Sequence, residues 1–266
     1  MTFSSAYLLV SHGSRDSRHQ IALERLAYLV RQQLEIRKAL PQPIYDHQRH
    51  SKLEGSTALL SKPQLPLVGT ASLELAPAPL HQSIRQFALQ GQGRRLGRLK
   101  ILPLFLLPGV HVSEDIPNQV ALAQQALGEE VILELRPHLG SDPDLSSLLA
   151  KQFSQLPAGG RILLSHGSRL KGSNQSPEAI ASQLEAVAAY WSVSPSLAEQ
   201  VEALAAAGKG TIAIVPYFLF AGGITEAIAQ KVRQLQLAFP QVKLLLGEPL
   251  GATAELANLI VEGMGD

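Results

Sequence analysis

The chain contains no cysteine. Disulfides, thiolate nucleophiles, zinc fingers and cysteine-ligated clusters are thereby excluded, and any metal must be held by histidine, carboxylate or other oxygen ligands. Charge is also scarce: charged residues make up 17% of the chain, and 23 Lys and Arg against 22 Asp and Glu leave a formal net charge of +1. That balance gives no global electrostatic reason to expect nucleic acid. No apolar run reaches the length of roughly 18 residues that a membrane helix needs; the longest are strand-sized, as over 101–110. The N-terminus enters an apolar run at Tyr7 without the basic region of a secretory signal, which favours a cytoplasmic location. What is present is 266 residues, 45% of them hydrophobic. A chain of that size buries roughly 70 to 75% of the surface its unfolded form exposes, as two domains or one larger one.

Laid against itself, the chain repeats. Tyr7-Leu8-Leu9-Val10-Ser11-His12-Gly13-Ser14-Arg15 returns as Arg161-Ile162-Leu163-Leu164-Ser165-His166-Gly167-Ser168-Arg169. Ile101-Leu102-Pro103-Leu104-Phe105-Leu106 returns as Ile214-Val215-Pro216-Tyr217-Phe218-Leu219, and Pro137-His138-Leu139-Gly140 is echoed by Pro249-Leu250-Gly251. Because the order of the segments is kept, the chain reads as a duplicated domain, 1–156 and 157–266, with a joint near 155–160 at Pro157, Gly159 and Gly160. The second copy is shorter, which places an insertion in the first near residues 39–66. Pro41, Pro43, Asp46, His47, His50, Gly55, Pro63 and Pro66 break any regular period there, as in a surface excursion or flap.

Each half alternates strand and helix. In the first, short and almost wholly apolar strands are expected at about 6–10, 67–71, 99–104 and 130–135, and helices at about 18–38, 79–91, 113–128 and 142–155. Strands of this kind are buried on both faces. The expected fold is therefore α/β: two similar lobes, each a mostly parallel four-stranded sheet flanked by helices, with a cleft between the lobes. Ligands of such sheets bind beyond the C-terminal strand ends.

That rule makes three polar positions informative. His12 follows the first strand, Glu74 the second, and His111 the third after Pro108 and Gly109, so all three converge on one sheet edge. A lone histidine at a strand end is ordinarily structural and a lone glutamate solvated; convergence favours a site. Two imidazoles and a carboxylate suit a divalent first-row metal, and so few protein ligands leave positions open for exchange. His19, His47, His50 and His81 have no comparable placement and read as surface or structural residues. Arg94, Arg95, Arg98 and Lys100 form a local basic run that reads as a solvated approach to a strand rather than a contact for an acidic ligand.

The Ser-His-Gly-Ser-Arg segment, Leu73-Glu74-Leu75 with Pro79-Leu80 downstream, and Leu102-Pro103-Leu104-Phe105-Leu106-Leu107-Pro108-Gly109-Val110-His111 together resemble the sirohydrochlorin chelatase family in its tandem, two-domain form. The resemblance spans nearly the whole chain. It implies a chelatase-like fold and insertion of Co2+ or Fe2+ into sirohydrochlorin without ATP or another nucleotide, for cobalamin or sirohaem biosynthesis. It also implies His12 and His111 as metal ligands and Glu74 as their catalytic associate. The substrate it implies carries eight carboxylates, for which Arg15, Arg18 and Arg169, with Ser14 in the same turn, are candidate contacts; Ser168 and Lys171 are others. Other pathway enzymes are its expected partners, with no nucleic acid and no membrane.

The second half departs from this pattern. His166 remains, but Trp191, six residues before Leu197 as Glu74 is before Leu80, takes the place of the glutamate, and Ile224 that of His111. One site per chain is the expectation. Metal entering a tetrapyrrole displaces two pyrrole protons, and imidazole, with its ordinary pKa, accepts a proton near neutral pH. Competing readings are a non-enzymatic carrier of metal or tetrapyrrole, and a hydrolase or transferase using Ser11 or Ser14 beside His12. Against the latter stands the lack of a nucleophile-elbow pattern, and Gly13-Ser14-Arg15 is neither a P-loop nor a dinucleotide-binding turn.

Overall fold

The computed structural model describes residues 4–39, 66–90, 96–170 and 172–265. The first half contains β1 (Ser4–Ser11), α1 (Ser17–Ala39), β2 (Leu67–Ser72), α2 (Leu80–Gln90), β3 (Leu96–Pro103), α3 (Ile116–Leu127), β4 (Ile132–Leu135) and α4 (Leu145–Ser154). The second repeats the order as β5 (Gly160–Ser165), α5 (Gln175–Gln183), β6 (Val187–Tyr190), α6 (Leu197–Ala206), β7 (Thr211–Pro216), α7 (Gly223–Ala238), β8 (Lys243–Leu246) and α8 (Ala254–Met264). The expected insertion over 39–66 lies almost wholly outside the described residues, as do His47, His50, Arg94, Arg95 and Lys171.

Among the described residues two four-stranded sheets form, ordered β2-β1-β3-β4 and β6-β5-β7-β8, and every strand pair in both is parallel. Residues 6–10 of the central strand β1 are at most 1% exposed, as a strand covered on both faces must be. Each fully buried Leu or Ile of this kind contributes about 1.5–3 kcal/mol of transfer free energy. On α1, Leu23, Leu26, Val30 and Leu34 recur every three or four residues and are buried together, which gives the helix its inward face. At α6, Ser196 accepts from the Glu199 backbone N–H while the Glu199 carboxylate accepts from the Ser196 N–H, a reciprocal cap that starts the helix.

Among the described residues the apolar core lies in three layers. One, built on Leu8, Val10, Ile101, Ile84 and Ile116, lies between the first sheet and α2 and α3; another, on Ile162, Leu164, Ile214, Val201 and Ile228, lies between the second sheet and α6 and α7. The third belongs to both halves, joining Tyr7, Leu9 and Leu102 of the first sheet to Leu163 and Val215 of the second through residues of α1, α4, α5 and α8. Within it α4 packs against β7 of the other half, and α8 against α1 of the other half. Polar contacts close the same seam. Lys151 Nζ lies 2.7 Å from Glu255 Oε1, Arg37 Nη2 2.9 Å from Glu262 Oε1, and Arg136 Nη2 donates to the Gly263 carbonyl at 3.0 Å.

Lys100 corrects the reading of the basic run. It is buried at 6% exposure, and its ammonium donates to the carbonyls of Met264 and Gly265 at the C-terminal end of α8. There it satisfies carbonyls that have no partner within the helix and faces the negative end of the helix dipole. Arg98, by contrast, is exposed and lies 3.2 Å from Glu134.

Candidate metal site

The site is assembled where β1, β2 and β3 end. The Leu73 N–H donates to the Ser11 carbonyl and the Glu74 N–H to the His12 carbonyl, both at 2.9 Å, so the chain leaving β2 stays joined to the chain leaving β1. Gly13 makes that approach feasible: its φ is +100°, and a Cβ at this position would lie 2.1 Å from the Glu74 carbonyl oxygen. Leu75, next to Glu74, has φ +55°, a left-handed conformation that costs a non-glycine residue free energy and is concentrated at functional sites. From the other side, the Leu104 N–H donates to the Val10 carbonyl at 2.7 Å and directs the chain leaving β3 toward the same edge.

His111 opens a π-turn, His111–Asp115, that runs directly into α3. The Ile116 N–H reaches back to the His111 carbonyl, one residue further than in an α-helix, and Pro117 brings no N–H to the Ser113 carbonyl where the turn widens. Single π-turns of this kind are common at functional sites.

His12, Glu74 and His111 meet, as expected. The two imidazole rings lie edge to face with centroids 4.8 Å apart, Phe105 is 6.2 Å from each, and His12 Nε2 is 3.9 Å from Glu74 Oε2. One ligand atom from each of the three falls within 4.8 Å of the others, and the side chains are partly open to solvent. Ligand bonds of about 2.0–2.2 Å in tetrahedral geometry place donor atoms roughly 3.4 Å apart, so the group needs side-chain adjustments of only about 1 Å to close on a divalent ion.

One partner was not anticipated. Asp115 Oδ2 lies 2.7 Å from His111 Nδ1, and Asp115 also lines a cavity of about 360 Å³ together with Glu74, Pro79, Asn118 and Gln119. Its spacing of four residues from His111 would have marked it as soon as that stretch was read as helical.

The other proposed contacts divide. Ser14 Oγ accepts from the Asp16 N–H at 3.0 Å and so shapes its own turn, while Ser11 Oγ is 3.3 Å from Ser72 Oγ and buried. Neither is hydrogen-bonded to an imidazole among the described residues. Arg15 and Arg169 are exposed, with side chains that make no hydrogen bond or ion pair to another described residue. Arg18 is already engaged: its guanidinium pairs with Asp16, Nη2 to Oδ2 at 2.6 Å, and with Glu226 of the second half. This pairing holds the Asp16 carboxyl down at about 2 and lowers that of Glu226. His19 packs its ring on Phe220 with centroids 5.3 Å apart, and burial lowers its pKa. Gly222 comes near Asp16 as well, so the loop leaving β1 meets the loop leaving β7 across the two halves. His81 is a structural residue, its Nδ1 2.8 Å from Gln119 Oε1.

In the second half the backbone corrects one alignment. The Trp191 N–H donates to the Ser165 carbonyl and the Ser192 N–H to the His166 carbonyl, both at 2.9 Å, in the pattern of Leu73 and Glu74. Counted from its strand, Ser192 therefore takes the place of Glu74, and Trp191 that of Leu73. The connection from β6 to α6 is one residue shorter than that from β2 to α2, so counting back from Leu197 lands one position off. The Ser192 hydroxyl donates to the His166 carbonyl at 2.9 Å. Ile224 does stand in for His111: the Tyr217 N–H donates to Leu164 as Leu104 does to Val10, which keeps β3 and β7 in the same register up to this point.

Two parallel α/β lobes, with a His-Glu-His group at the strand ends of one that is suited to a divalent metal, define a two-lobe α/β protein with a candidate metal site. Solved structures share the architecture. SirB from Bacillus subtilis with Fe3+ superposes with a TM-score of 0.69 at 19% identity over 98% of this chain and 94% of that one. The sirohydrochlorin chelatase SirB from Bacillus subtilis subspecies spizizenii in complex with cobalt gives 0.67 at 18% over the same shares. The sirohydrochlorin ferrochelatase of Priestia megaterium is 23% identical over 209 residues, 74% of this chain and 76% of the relative. The chain belongs to the CbiX family, whose model matches it twice, over residues 46–156 and 160–266. Glu74 and His111 fall inside the first match; His12 lies ahead of it. No helix among the described residues is long and apolar enough to cross a membrane.

Proposed function

We propose that the protein is a sirohydrochlorin chelatase that inserts Co2+ or Fe2+ into the macrocycle without ATP, in the cytoplasm, as a step toward cobalamin or sirohaem. The observation that carries this reading is the convergence of His12, Glu74 and His111 within 4.8 Å at the strand ends of the first lobe. Membership of the CbiX family and the names of the relatives agree with it. The working unit is the first domain, 1–156, with the second, 157–266, as its degenerate companion.

In this reading the metal is substrate, held by His12 and His111 while its open positions face the macrocycle. Insertion requires that protein–metal bonds be exchanged for pyrrole nitrogens and that two pyrrole protons leave. Imidazoles released from the metal regain a lone pair and can take up those protons, and the Glu74 carboxylate beside His12 stabilises the imidazolium that forms. The exposed guanidinium groups of Arg15 and Arg169 are suited to peripheral carboxylates of the substrate, and Ser14 fixes the turn that carries Arg15. A serine hydrolase is disfavoured because neither Ser11 nor Ser14 bonds to His12.

The decisive experiment supplies purified protein anaerobically with sirohydrochlorin and either Fe2+ or Co2+, without nucleotide, and follows the macrocycle spectrum. Turnover beyond one equivalent is the expected result and separates a chelatase from a carrier. Rates equal to the protein-free control with both ions would refute the assignment.

A further inference from the structure

The two imidazoles of the site are held differently. His111 Nδ1 lies 2.7 Å from Asp115 Oδ2, a distance typical of a charge-assisted hydrogen bond. Among the described residues, the corresponding nitrogen of His12 has only the carbonyl of its own neighbour Gly13, at 3.4 Å, close to the outer limit of a hydrogen bond. Asp115 has no other hydrogen-bond or ion-pair partner among the described residues, so one of its carboxylate oxygens is committed to His111 alone. The two residues occupy the first and last positions of the π-turn.

An ionised carboxylate only accepts hydrogen bonds. Opposite such a carboxylate the partner nitrogen carries the proton, so a neutral His111 is the Nδ1–H tautomer and offers the lone pair of Nε2 to a metal. A carboxylate behind a metal-binding imidazole also fixes the ring plane and increases its donor strength. Among the described residues, His12 has no such carboxylate on its Nδ1. We infer that Asp115 is a positioning residue for the metal ion: it fixes His111 as the more firmly held ligand of the pair and leaves His12 as the weaker one. The inference rests on the reading of His12, Glu74 and His111 as the metal-substrate site, and its test does not require turnover.

Asp115→Ala, Asp115→Asn and the unaltered protein are titrated with Co2+ and followed by visible absorption, and histidine tautomers are read from long-range proton–nitrogen NMR spectra of the metal-free proteins. The unaltered protein shows His111 protonated on Nδ1. Asp115→Ala loses that tautomer and weakens Co2+ binding by about 10- to 100-fold, the usual cost of removing such a partner. Asp115→Asn, whose amide oxygen still accepts from Nδ1–H, keeps the tautomer and recovers most of the affinity. The His12 signals stay where they were. Wild-type Co2+ affinity in Asp115→Ala, an unchanged His111 tautomer in that variant, or an Asn variant as weak as the Ala variant would each overturn the inference. A protein that binds Co2+ in this pattern yet fails to insert it would count against the proposed function and leave this inference standing.

Discussion

The rings of His12 and His111 meet edge to face with centroids 4.8 Å apart, although they lie 99 positions apart in the sequence and each follows a different strand. Both side chains are partly exposed, so removing either opens no core cavity. His12→Ala and His111→Ala are each expected to lower the chelation rate at least tenfold while circular dichroism and thermal midpoint stay near those of the unaltered protein, as for surface substitutions that change stability by about 0.5 kcal/mol or less. His166→Ala, whose lobe offers Ser192 and Ile224 in place of a carboxylate and an imidazole, should lose less. A larger loss in well-folded His166→Ala than in either of the others would move the working site to the second lobe.

Gly13 carries no functional group, yet its substitution should damage the site. An added methyl would have to displace the Glu74 carbonyl 2.1 Å away and adopt φ +100°. Gly13→Ala is expected to cost about 1–3 kcal/mol of stability from backbone strain and overpacking, read from urea unfolding, and to weaken Co2+ binding because Glu74 moves off the turn. Unchanged unfolding and unchanged binding together would show that the turn accommodates a side chain.

The pairing of Arg18 with Asp16 and Glu226 has a pH signature. Asp16 is held at about 2 in the folded protein against an ordinary 3.8, so the unfolded chain takes up its proton first as pH falls. The stabilisation is complete above about pH 4 and fades toward pH 2. Arg18→Ala should therefore be less stable than the parent by a small margin above pH 4, and the gap should close as pH approaches 2. Because the three groups are exposed, 0.5 M salt should shrink the gap as well. A difference between the two proteins that grows on acidification would contradict this account.

Much of the architecture was legible from residue order alone. Repeated Ser-His-Gly-Ser-Arg segments after apolar strands marked the duplication, and the all-apolar strands marked a parallel sheet covered on both sides. The metal group was readable because parallel sheets put all their strand exits on one edge. Three things were hidden. Asp115 is an unremarkable acid while the helix is taken to begin at 113; once the helical turn starts at His111, the two stand four residues apart on one face. Lys100 looked solvated because its partners, the carbonyls ending α8, lie 164 and 165 positions away. Trp191 looked equivalent to Glu74 because sequence spacing was counted back from a helix, whereas backbone pairing between strands shows the connection to be one residue shorter.

That one-residue difference can be tested by restoring what the second lobe has lost. Ser192→Glu with Ile224→His places a carboxylate and an imidazole where Glu74 and His111 stand in the first lobe, beside the existing His166. This double variant is expected to bind a second equivalent of Co2+, detected by equilibrium dialysis, more tightly than Trp191→Glu with Ile224→His, in which the carboxylate stands one position off. Equal affinity for the second equivalent in the two variants would remove the support for Ser192 as the equivalent position.

The packing of α4 on the second sheet and of α8 on α1 has a consequence for how such a chain could arise and diversify. Each half completes the other's interior, so two separate copies of one half would have had reason to embrace as a symmetric pair, each lending its last helix. Joining them end to end releases the copies from identity. One copy could then keep the chemistry while the other, still indispensable as scaffolding, drifted at its strand ends. The mismatch between an intact His-Glu-His group and its faded twin is the trace such a history would leave.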